Sequence, residues 1–172
     1  LISLISKVAV PSEESIDFVS FAVGRITRMS VLGDSGEQIH WNLHNFELDH
    51  EDLANAILQI RCDIEWAKLA PHCRTVFILG DFNFPNDPTL HFSFCNPKSS
   101  NEVIGPTVPP CTSGAIITSS QGLLQPELDL FIEAIQRCPT QFSSARGTGR
   151  IIDRIFFITP TYIIPLAVWR SF

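Results

Sequence analysis

The sequence predicts an α/β fold formed by a single domain, residues 1–172. Three observations predict it: a strand, helix and strand follow one another in the first half of the chain, 45% of the residues are hydrophobic, and only 17% are charged. A chain of this length and composition can bury one sizeable core and does not resemble a disordered segment. Whether the two strands that flank the helix are parallel stays open at this point.

Strands are predicted for the beginning of the chain. Residues 1–10 alternate loosely between apolar and small polar residues. Residues 16–31 are rich in β-branched and aromatic residues, and this run is interrupted near Gly24. The segment Gly33-Asp34-Ser35-Gly36 then predicts a hairpin turn. A β-meander therefore leads into a further strand at residues 38–43.

The strand at residues 38–43 alternates between two kinds of side chain. One face would carry Ile39, Trp41 and Leu43, and the other would carry His40, Asn42 and His44. For His40 the simplest interpretation is an outward polar residue of a half-exposed strand. His44 differs because it lies at the end of the strand, where loops on a rigid scaffold hold functional residues.

Two helices are predicted. Asp49 is a suitable N-cap for the first, and an apolar stripe repeats every three or four residues up to about Leu69, at Leu53, Ile57, Ile60, Ile64 and Ala67. Pro71 would end this helix. Residues 84–124 are predicted to be mostly loop, with one short helix near residues 89–94. The second long helix is predicted for residues 127–137, directly after Pro126.

A buried strand is predicted for residues 75–79, because Val76 to Leu79 is a continuous apolar run. Gly80-Asp81-Phe82-Asn83 follows it, and Asp81 and Asn83 can project in a similar direction if the backbone stays extended. Gly, Asp and Asn are also common turn formers, so an ordinary turn is the alternative interpretation. The position at the end of a buried strand favours a functional site.

The last predicted strand, residues 150–158, is an apolar run interrupted by Asp153 and Arg154. Charges inside such a strand are costly unless they are paired or functional. An Asp–Arg pair at a sheet edge is the alternative interpretation.

The charge balance does not favour a strongly basic nucleic-acid-binding protein. The formal net charge is −6 and the pI is about 5.2. A metal ion or a local basic patch can supply positive charge in an acidic protein. Candidates for such a patch are Arg25, Arg28, Arg146, Arg150 and Arg154.

The cysteines and the apolar segments indicate an intracellular protein without a membrane anchor. The five cysteines include no C-x-x-C pair, which favours free thiols over a zinc site or a disulfide framework. The longest uncharged apolar stretch, residues 155–169, contains two prolines and is shorter than the roughly 20 residues of a membrane helix. No signal peptide is visible.

Three motifs, taken together and in this order, resemble the endonuclease/exonuclease/phosphatase family. They are Asn42-Leu43-His44, Gly80-Asp81-Phe82-Asn83 and Asp153-Arg154-Ile155. The resemblance extends over about residues 19–158. It implies a four-layer α/β/β/α sandwich of two mixed sheets, incomplete here, and hydrolysis of phosphate esters with Mg²⁺ or Mn²⁺.

The resemblance also implies roles for individual residues. Asp81 would orient or deprotonate the attacking water and bind the metal, Asn83 would hold the scissile phosphate or the metal, and His44 would contact the phosphate. Asn42 and Arg154 are further substrate-binding candidates, and Asp153 would orient a histidine from a later strand. These residue types suit a reaction in which a hard cation neutralises phosphate charge while an acid/base group handles the proton of water.

Two parts of the family pattern are missing from this sequence. No convincing Gln-Glu element precedes Pro11, and no histidine follows His91 to partner Asp153. We therefore expect a domain trimmed at both ends, with weak or no hydrolysis by these residues alone.

The leading functional prediction is an endonuclease acting on DNA, located in the nucleus if it serves a retroelement or DNA repair. A phosphatase for inositol phosphates or phospholipid headgroups is the nearest alternative, and a non-catalytic interaction module is the other. The sequence leaves the oligomeric state open.

Overall fold

The computed structural model describes residues 15–33, 36–46, 48–70, 74–84, 91–94, 103–107, 119–134, 140–143 and 148–158. The predicted strand at residues 1–10 lies outside these residues, as do the tip of the hairpin at 34–35 and Pro71. Among the described residues, no helix combines the length and the apolar composition needed to cross a membrane.

A mixed six-stranded sheet and a smaller antiparallel sheet form the strand structure. In chain order, the strands are β1 (Ile16–Ala22), β2 (Ile26–Gly33), β3 (Gly36–His44), β4 (Arg74–Asp81), β5 (His91–Phe94), β6 (Val103–Thr107), β7 (Ile132–Glu133), β8 (Gln141–Ser143), β9 (Thr148–Arg150) and β10 (Asp153–Ile158). The larger sheet has the order β1-β2-β3-β4-β10-β7, and the smaller has the order β6-β5-β9-β8. The predicted α/β fold class is confirmed, whereas the four-layer arrangement and the single-domain boundary stay predictions.

The centre of the large sheet is the parallel pair β3 and β4, connected through helix α1 (His50–Leu69). The other neighbours in this sheet are antiparallel. Asp49 is the N-cap of α1, as predicted, and its side chain accepts a hydrogen bond of 2.7 Å from the backbone N–H of Glu51. All the predicted stripe residues of α1 are buried. They belong to the same core as Trp41, Ile78 and the other apolar side chains on that face of the sheet.

An ion pair beneath α1 was not predicted from the sequence. The Asp63 carboxylate is buried in the helix stripe and accepts two hydrogen bonds from Arg28, at 2.9 and 3.0 Å, and one from Trp41 Nε1, at 2.9 Å. Burial opposes the charge of Arg28, but the hydrogen bond and the negative charge of Asp63 outweigh it and raise the pKa of the guanidinium. Because its oxygens are well satisfied, the buried carboxylate is tolerated.

The second helix and the segment before it differ from the prediction. Helix α2 is Ser119–Leu128, so it ends where the predicted helix begins, and residues 132–133 form the strand β7. Its buried side chains Gln121, Leu124 and Leu128 have helical spacing, but neighbouring Gly and Pro residues obscured this pattern. Pro126 lies near the end of α2 rather than at its start.

The short helix predicted for residues 89–94 is also wrong. Residues 91–94 form β5, which pairs with β6 and β9. Pairing with distant strands decides the conformation here, and local sequence cannot reveal such pairing.

Gly80 permits the close approach of β3 and β4. It has a φ of 146°, and a Cβ at this position would overlap the carbonyl oxygen of its register neighbour Leu43. We expect Gly80→Ala to lower the free energy of unfolding by at least about 2 kcal/mol, because backbone strain and the overlap add together.

The matched control for this substitution is Gly24→Ala. Gly24 also has a positive φ, 70°, but a Cβ there would meet nothing within 4 Å. Gly24→Ala should lower the free energy of unfolding, measured by urea denaturation, by only about 1 kcal/mol, because it adds only the strain of a left-handed backbone. Equal losses for the two variants would contradict the steric argument.

His40 lies half-buried on the face of β3 opposite the helix and stacks on Phe77 of β4, with ring centroids 5.0 Å apart. Burial lowers the pKa of His40 below its ordinary value of 6.5. The unfolded chain therefore binds more protons than the folded chain just below pH 6.5, and stability is lost as the pH falls through this window.

We expect the Tm of the wild-type chain to fall more steeply below pH 6.5 than that of His40→Gln, which cannot titrate at this position. Thermal unfolding followed by circular dichroism between pH 8 and pH 5 measures the difference. Parallel curves for the two proteins would show that His40 does not contribute to the acid sensitivity.

Candidate active site

His44, Asp81 and Asp153 lie side by side at one edge of the large sheet. His44 ends β3, Asp81 ends β4 and Asp153 begins β10, and each is paired in register with the next. Parallel pairing brings the ends of β3 and β4 together, and antiparallel pairing brings the start of β10 to the same edge. The structure thus brings together residues from the three motifs, which are far apart in the sequence.

The His44 imidazole lies between a carboxylate and a guanidinium. Its Nε2 is 3.9 Å from Asp81 Oδ2, and its Nδ1 is 3.5 Å from Arg25 Nη1. Arginine can only donate, so Nδ1 accepts and the proton of a neutral imidazole is placed on Nε2, facing Asp81. The His44 and Asp81 side chains are 41% and 32% exposed, so a substrate can reach both.

Asn83 fixes the carboxylate of Asp81. It has a positive φ of 55°, and its backbone N–H donates to Asp81 Oδ1 at 2.9 Å. Its side-chain nitrogen donates to the carbonyl of Asn45 at 3.0 Å. Asn tolerates this left-handed conformation better than most residues. The predicted ordinary turn and the predicted site are therefore the same structure, in which the turn positions the carboxylate.

Asn45 is a positioning residue that the sequence reasoning missed. Its backbone N–H donates to the carbonyl of Asp81 at 2.8 Å, and its buried side chain donates to the carbonyl of Phe82 at 2.7 Å and to Ser120 Oγ at 3.1 Å. It thereby ties the end of β3 to the turn after β4 and to α2. Its polar side chain, at the position where the alternation of Ile39, Trp41 and Leu43 predicts an apolar residue, was the available signal.

Thr140 positions the start of β10. Its Oγ1 accepts hydrogen bonds from the backbone N–H groups of Ile152 and Asp153, both at 3.0 Å. The carbonyl of Ile152 in turn accepts from Phe82 N–H at 2.9 Å. Asp153 is therefore held beside Asp81 by backbone contacts on both sides.

The two predicted substrate-binding residues Asn42 and Arg154 have different positions. Asn42 is half-buried on the same face as His44 and lies two residues earlier in β3, further from the edge that carries the site. Arg154, in contrast, is fully buried on the opposite face. Its guanidinium donates to Glu133 at 2.7 and 3.0 Å and lies over the ring of Phe156 at 4.5 Å. A substrate at the site edge does not meet this guanidinium, so we assign Arg154 to the core.

The Arg154–Glu133 pair generates a stability prediction. Glu133→Ala would leave a fully buried guanidinium without its carboxylate. We expect the free energy of unfolding to fall by roughly 3 kcal/mol. This is the lower end of the range for a broken buried ion pair, because the Glu133 side chain is 26% exposed. Glu65→Ala is the control, since it removes only the surface pair with Lys68 and should cost less than about 1 kcal/mol. Similar losses in urea unfolding would contradict a structural role for Arg154.

The described residues contain no group of three or more His, Cys, Asp or Glu side chains that could hold a metal ion. What they contain at the site is two carboxylates, Asp81 and Asp153, at paired positions, and Asn83, whose backbone N–H donates to Asp81 Oδ1. Mg²⁺ commonly binds one or two carboxylates and completes its shell with water and substrate phosphate. The donor set therefore fits a cation shared with a phosphate substrate, and not one held by the described residues alone.

Comparison with known proteins finds similar solved structures, including three with TM-scores of 0.40 or 0.41. No family model and no curated protein matches the chain. Among solved structures, it is similar to an AP endonuclease from Archaeoglobus fulgidus, with 15% identity, a TM-score of 0.40, and coverage of 87% of this chain and 56% of that one. It is also similar to a 3'-5' exonuclease from Neisseria meningitidis, with 18% identity, a TM-score of 0.41, and coverage of 84% and 58%.

A further match is the Neisseria protein described as a 3' phosphatase bound to a product DNA hairpin, with 17% identity, a TM-score of 0.40, and coverage of 86% and 58%. These proteins have the fold of the family that the three motifs resemble. The chain spans somewhat more than half the length of each. At these TM-scores the similarity assigns no activity to this chain, and the function must be argued from its own residues.

Proposed function

We propose that this chain is a hydrolase domain that cleaves phosphodiester bonds, with DNA as its substrate. The observation that carries the proposal is the register of β3, β4 and β10, which sets His44, Asp81 and Asp153 side by side. A carboxylate that takes a proton from water and donors that contact the anionic oxygens are the groups this hydrolysis needs. DNA is the leading substrate class because a nuclease is the leading prediction from the sequence, although the family that the three motifs resemble contains both nucleases and phosphatases.

In the proposed reaction, Asp81 orients the attacking water and accepts its proton. The orientation of its carboxylate is fixed by the N–H of Asn83, so the remaining oxygen faces His44 and the solvent-accessible edge. His44 donates from Nε2 to a phosphate oxygen of the substrate. This hydrogen bond replaces the long contact between Nε2 and the Asp81 carboxylate. Asn83 and Asn42 are the further polar groups that a bound phosphate can reach on this face.

A divalent cation, Mg²⁺ or Mn²⁺, is part of the proposal. Asp81 and Asn83 would hold it, with Asp153 adding a second carboxylate at the neighbouring position. When bound, such a cation neutralises the charge that develops on the phosphate. Two adjacent carboxylates would otherwise repel an anionic substrate, which is the physical reason to include it.

The catalytic assignment predicts that Asp81→Asn lowers the rate of cleavage about 10²–10⁴-fold, the usual contribution of an acid/base group. Nicking of supercoiled plasmid in the presence of Mg²⁺ or Mn²⁺ measures it, with the chain alone and within any longer protein that contains it. Asp17→Asn is the control, because Asp17 is an exposed carboxylate of β1 whose contact with Arg28 is 3.6 Å long. Cleavage that survives in Asp81→Asn would refute the assignment.

Two alternatives have specific observations in their favour. The net charge of −6 is unfavourable for a DNA polyanion and suits a small phosphorylated substrate such as an inositol phosphate or a lipid headgroup. The missing third metal ligand among the described residues suits a non-catalytic module. Phosphate release from inositol phosphates, with no nicking of DNA, would favour the first alternative. Absence of hydrolysis and of Mg²⁺ binding at millimolar concentration would favour the second.

A further inference from the structure

Beside the candidate active site lie two residues that do not act on the scissile phosphate in the proposed chemistry: Arg25, half-buried in the turn between β1 and β2, and Phe46, exposed just after β3. We name this pair the Arg25–Phe46 platform. The Arg25 guanidinium is 5.6 Å from the centre of the Phe46 ring, and this ring lies nearly parallel to His44, with centroids 6.3 Å apart. The platform is therefore continuous with the edge that carries His44 and Asp81.

Arg25 differs from the other basic residues. Arg28, Arg61, Arg74, Arg154 and Lys68 each form an ion pair with a carboxylate. Among the Lys and Arg residues whose side chains the structure describes, Arg25 is the one without such a pair, and its contacts are His44 and Phe46. It can thus bind a phosphate without giving up an existing carboxylate partner.

The position of Arg25 is also fixed by the backbone. Its N–H donates to the carbonyl of Ala22 at 2.9 Å, and its own carbonyl accepts from the N–H of His44 at 2.8 Å. The backbone of Arg25 is therefore held next to that of His44. Its guanidinium lies 3.5 Å from the imidazole, and both groups can contact one phosphate or two neighbouring phosphates of a strand.

Phe46 is half exposed to solvent, although Arg25 lies over its ring and His44 stacks beside it. A comparable residue elsewhere, Trp66, is 57% exposed, but Arg74 lies over its ring at 4.5 Å and is itself paired with Glu37 at 3.1 Å. Exposed aromatic rings beside an unpaired arginine are how proteins hold single-stranded nucleic acid, with a base on the ring and the phosphate on the cation.

We propose that the Arg25–Phe46 platform binds one unstacked nucleotide of a DNA strand next to the bond to be cleaved, the base against Phe46 and the phosphate against Arg25. This inference rests on the proposed function and narrows its substrate to DNA that is single-stranded, frayed or locally unpaired. A saturated inositol ring has no π face to stack on Phe46, so the platform favours a nucleotide over an inositol phosphate.

The test is equilibrium binding of a fluorescent single-stranded oligonucleotide in EDTA, where metal-dependent cleavage does not interfere. We expect Phe46→Leu to weaken binding about five- to a hundredfold, the usual effect of losing one base–aromatic stack. Phe46→Trp should retain the affinity. Trp66→Leu is the matched control and should leave it unchanged, and the Tm of each variant shows whether it is folded.

Two further arms separate base stacking from phosphate contact. On a strand with abasic sites throughout, Phe46→Leu should bind as tightly as the wild-type chain, while Arg25→Gln should stay weaker. On normal strands, Arg25→Gln should also reduce the salt dependence of binding by about one phosphate contact. If an inositol phosphate displaces the oligonucleotide, and this displacement requires Arg25 but not Phe46, the nucleotide assignment is overturned.

The failure of this inference differs from the failure of the proposed function. If Asp81-dependent nicking occurs but Phe46→Leu binds the normal strand like the wild-type chain, the platform is refuted and the hydrolase proposal stands. If the Phe46 effect appears but no hydrolysis is found, the platform stands as a binding site without catalysis. Absence of measurable binding to any strand by the wild-type chain overturns the platform.

Discussion

The close backbone approach of β3 and β4 at Gly80 is the constraint on which the rest of the site depends. Only glycine fits against the carbonyl of Leu43, and the parallel register that results pairs the next two residues, His44 and Asp81. A shift of one residue in this register would move each polar side chain to the other face of the sheet. Gly80, the residue before Asp81, thus determines how β3 and β4 place His44 and Asp81 relative to each other.

Asn45 converts this pairing into a rigid arrangement. It contacts the backbone at Asp81, Phe82 and, through its own carbonyl, the side chain of Asn83. The carboxylate of Asp81 is then fixed by Asn83, and the start of β10 is fixed by Thr140. These are contacts to backbone groups at strand ends, so the site is preorganised by the scaffold rather than by the loops.

The sequence predicts the elements with strong local signals and misses those that depend on distant partners. Helix α1 has an N-cap and a regular apolar stripe, and β4 has a continuous apolar run, so both could be located closely. Strands β5 and β7 are short and exist because of their pairing with distant strands. The predicted position of helix α2 is wrong because Pro126 suggests a helix start at that residue. The burial of Leu124 and Leu128 instead determines where the helix lies.

The same division applies to the candidate site. His44, Asp81, Asn83 and Asp153 could be selected as candidates because they lie at or beside the ends of predicted strands, and their roles stay predictions. Arg154 could not be assigned correctly, since its role depends on Glu133, which is 21 residues away and pairs with it only in the folded sheet. Thr140 acts through contacts to backbone groups, which leave no recognisable pattern of residue types, and the signal for Asn45 was a single polar residue at a position where β3 alternation predicts an apolar one.

Electrostatics joins the site to the platform. Two carboxylates lie at the site edge of a chain whose net charge is −6, so an anionic substrate needs a local source of positive charge. Most of the described basic side chains are already neutralised by carboxylates, and Arg154 faces the core. Among the described residues, Arg25 is the guanidinium that lies beside His44 without a carboxylate partner. In the proposed function, phosphate binding next to the carboxylate of Asp81 should depend on a divalent cation, whereas binding of the flanking nucleotide at Phe46 should not.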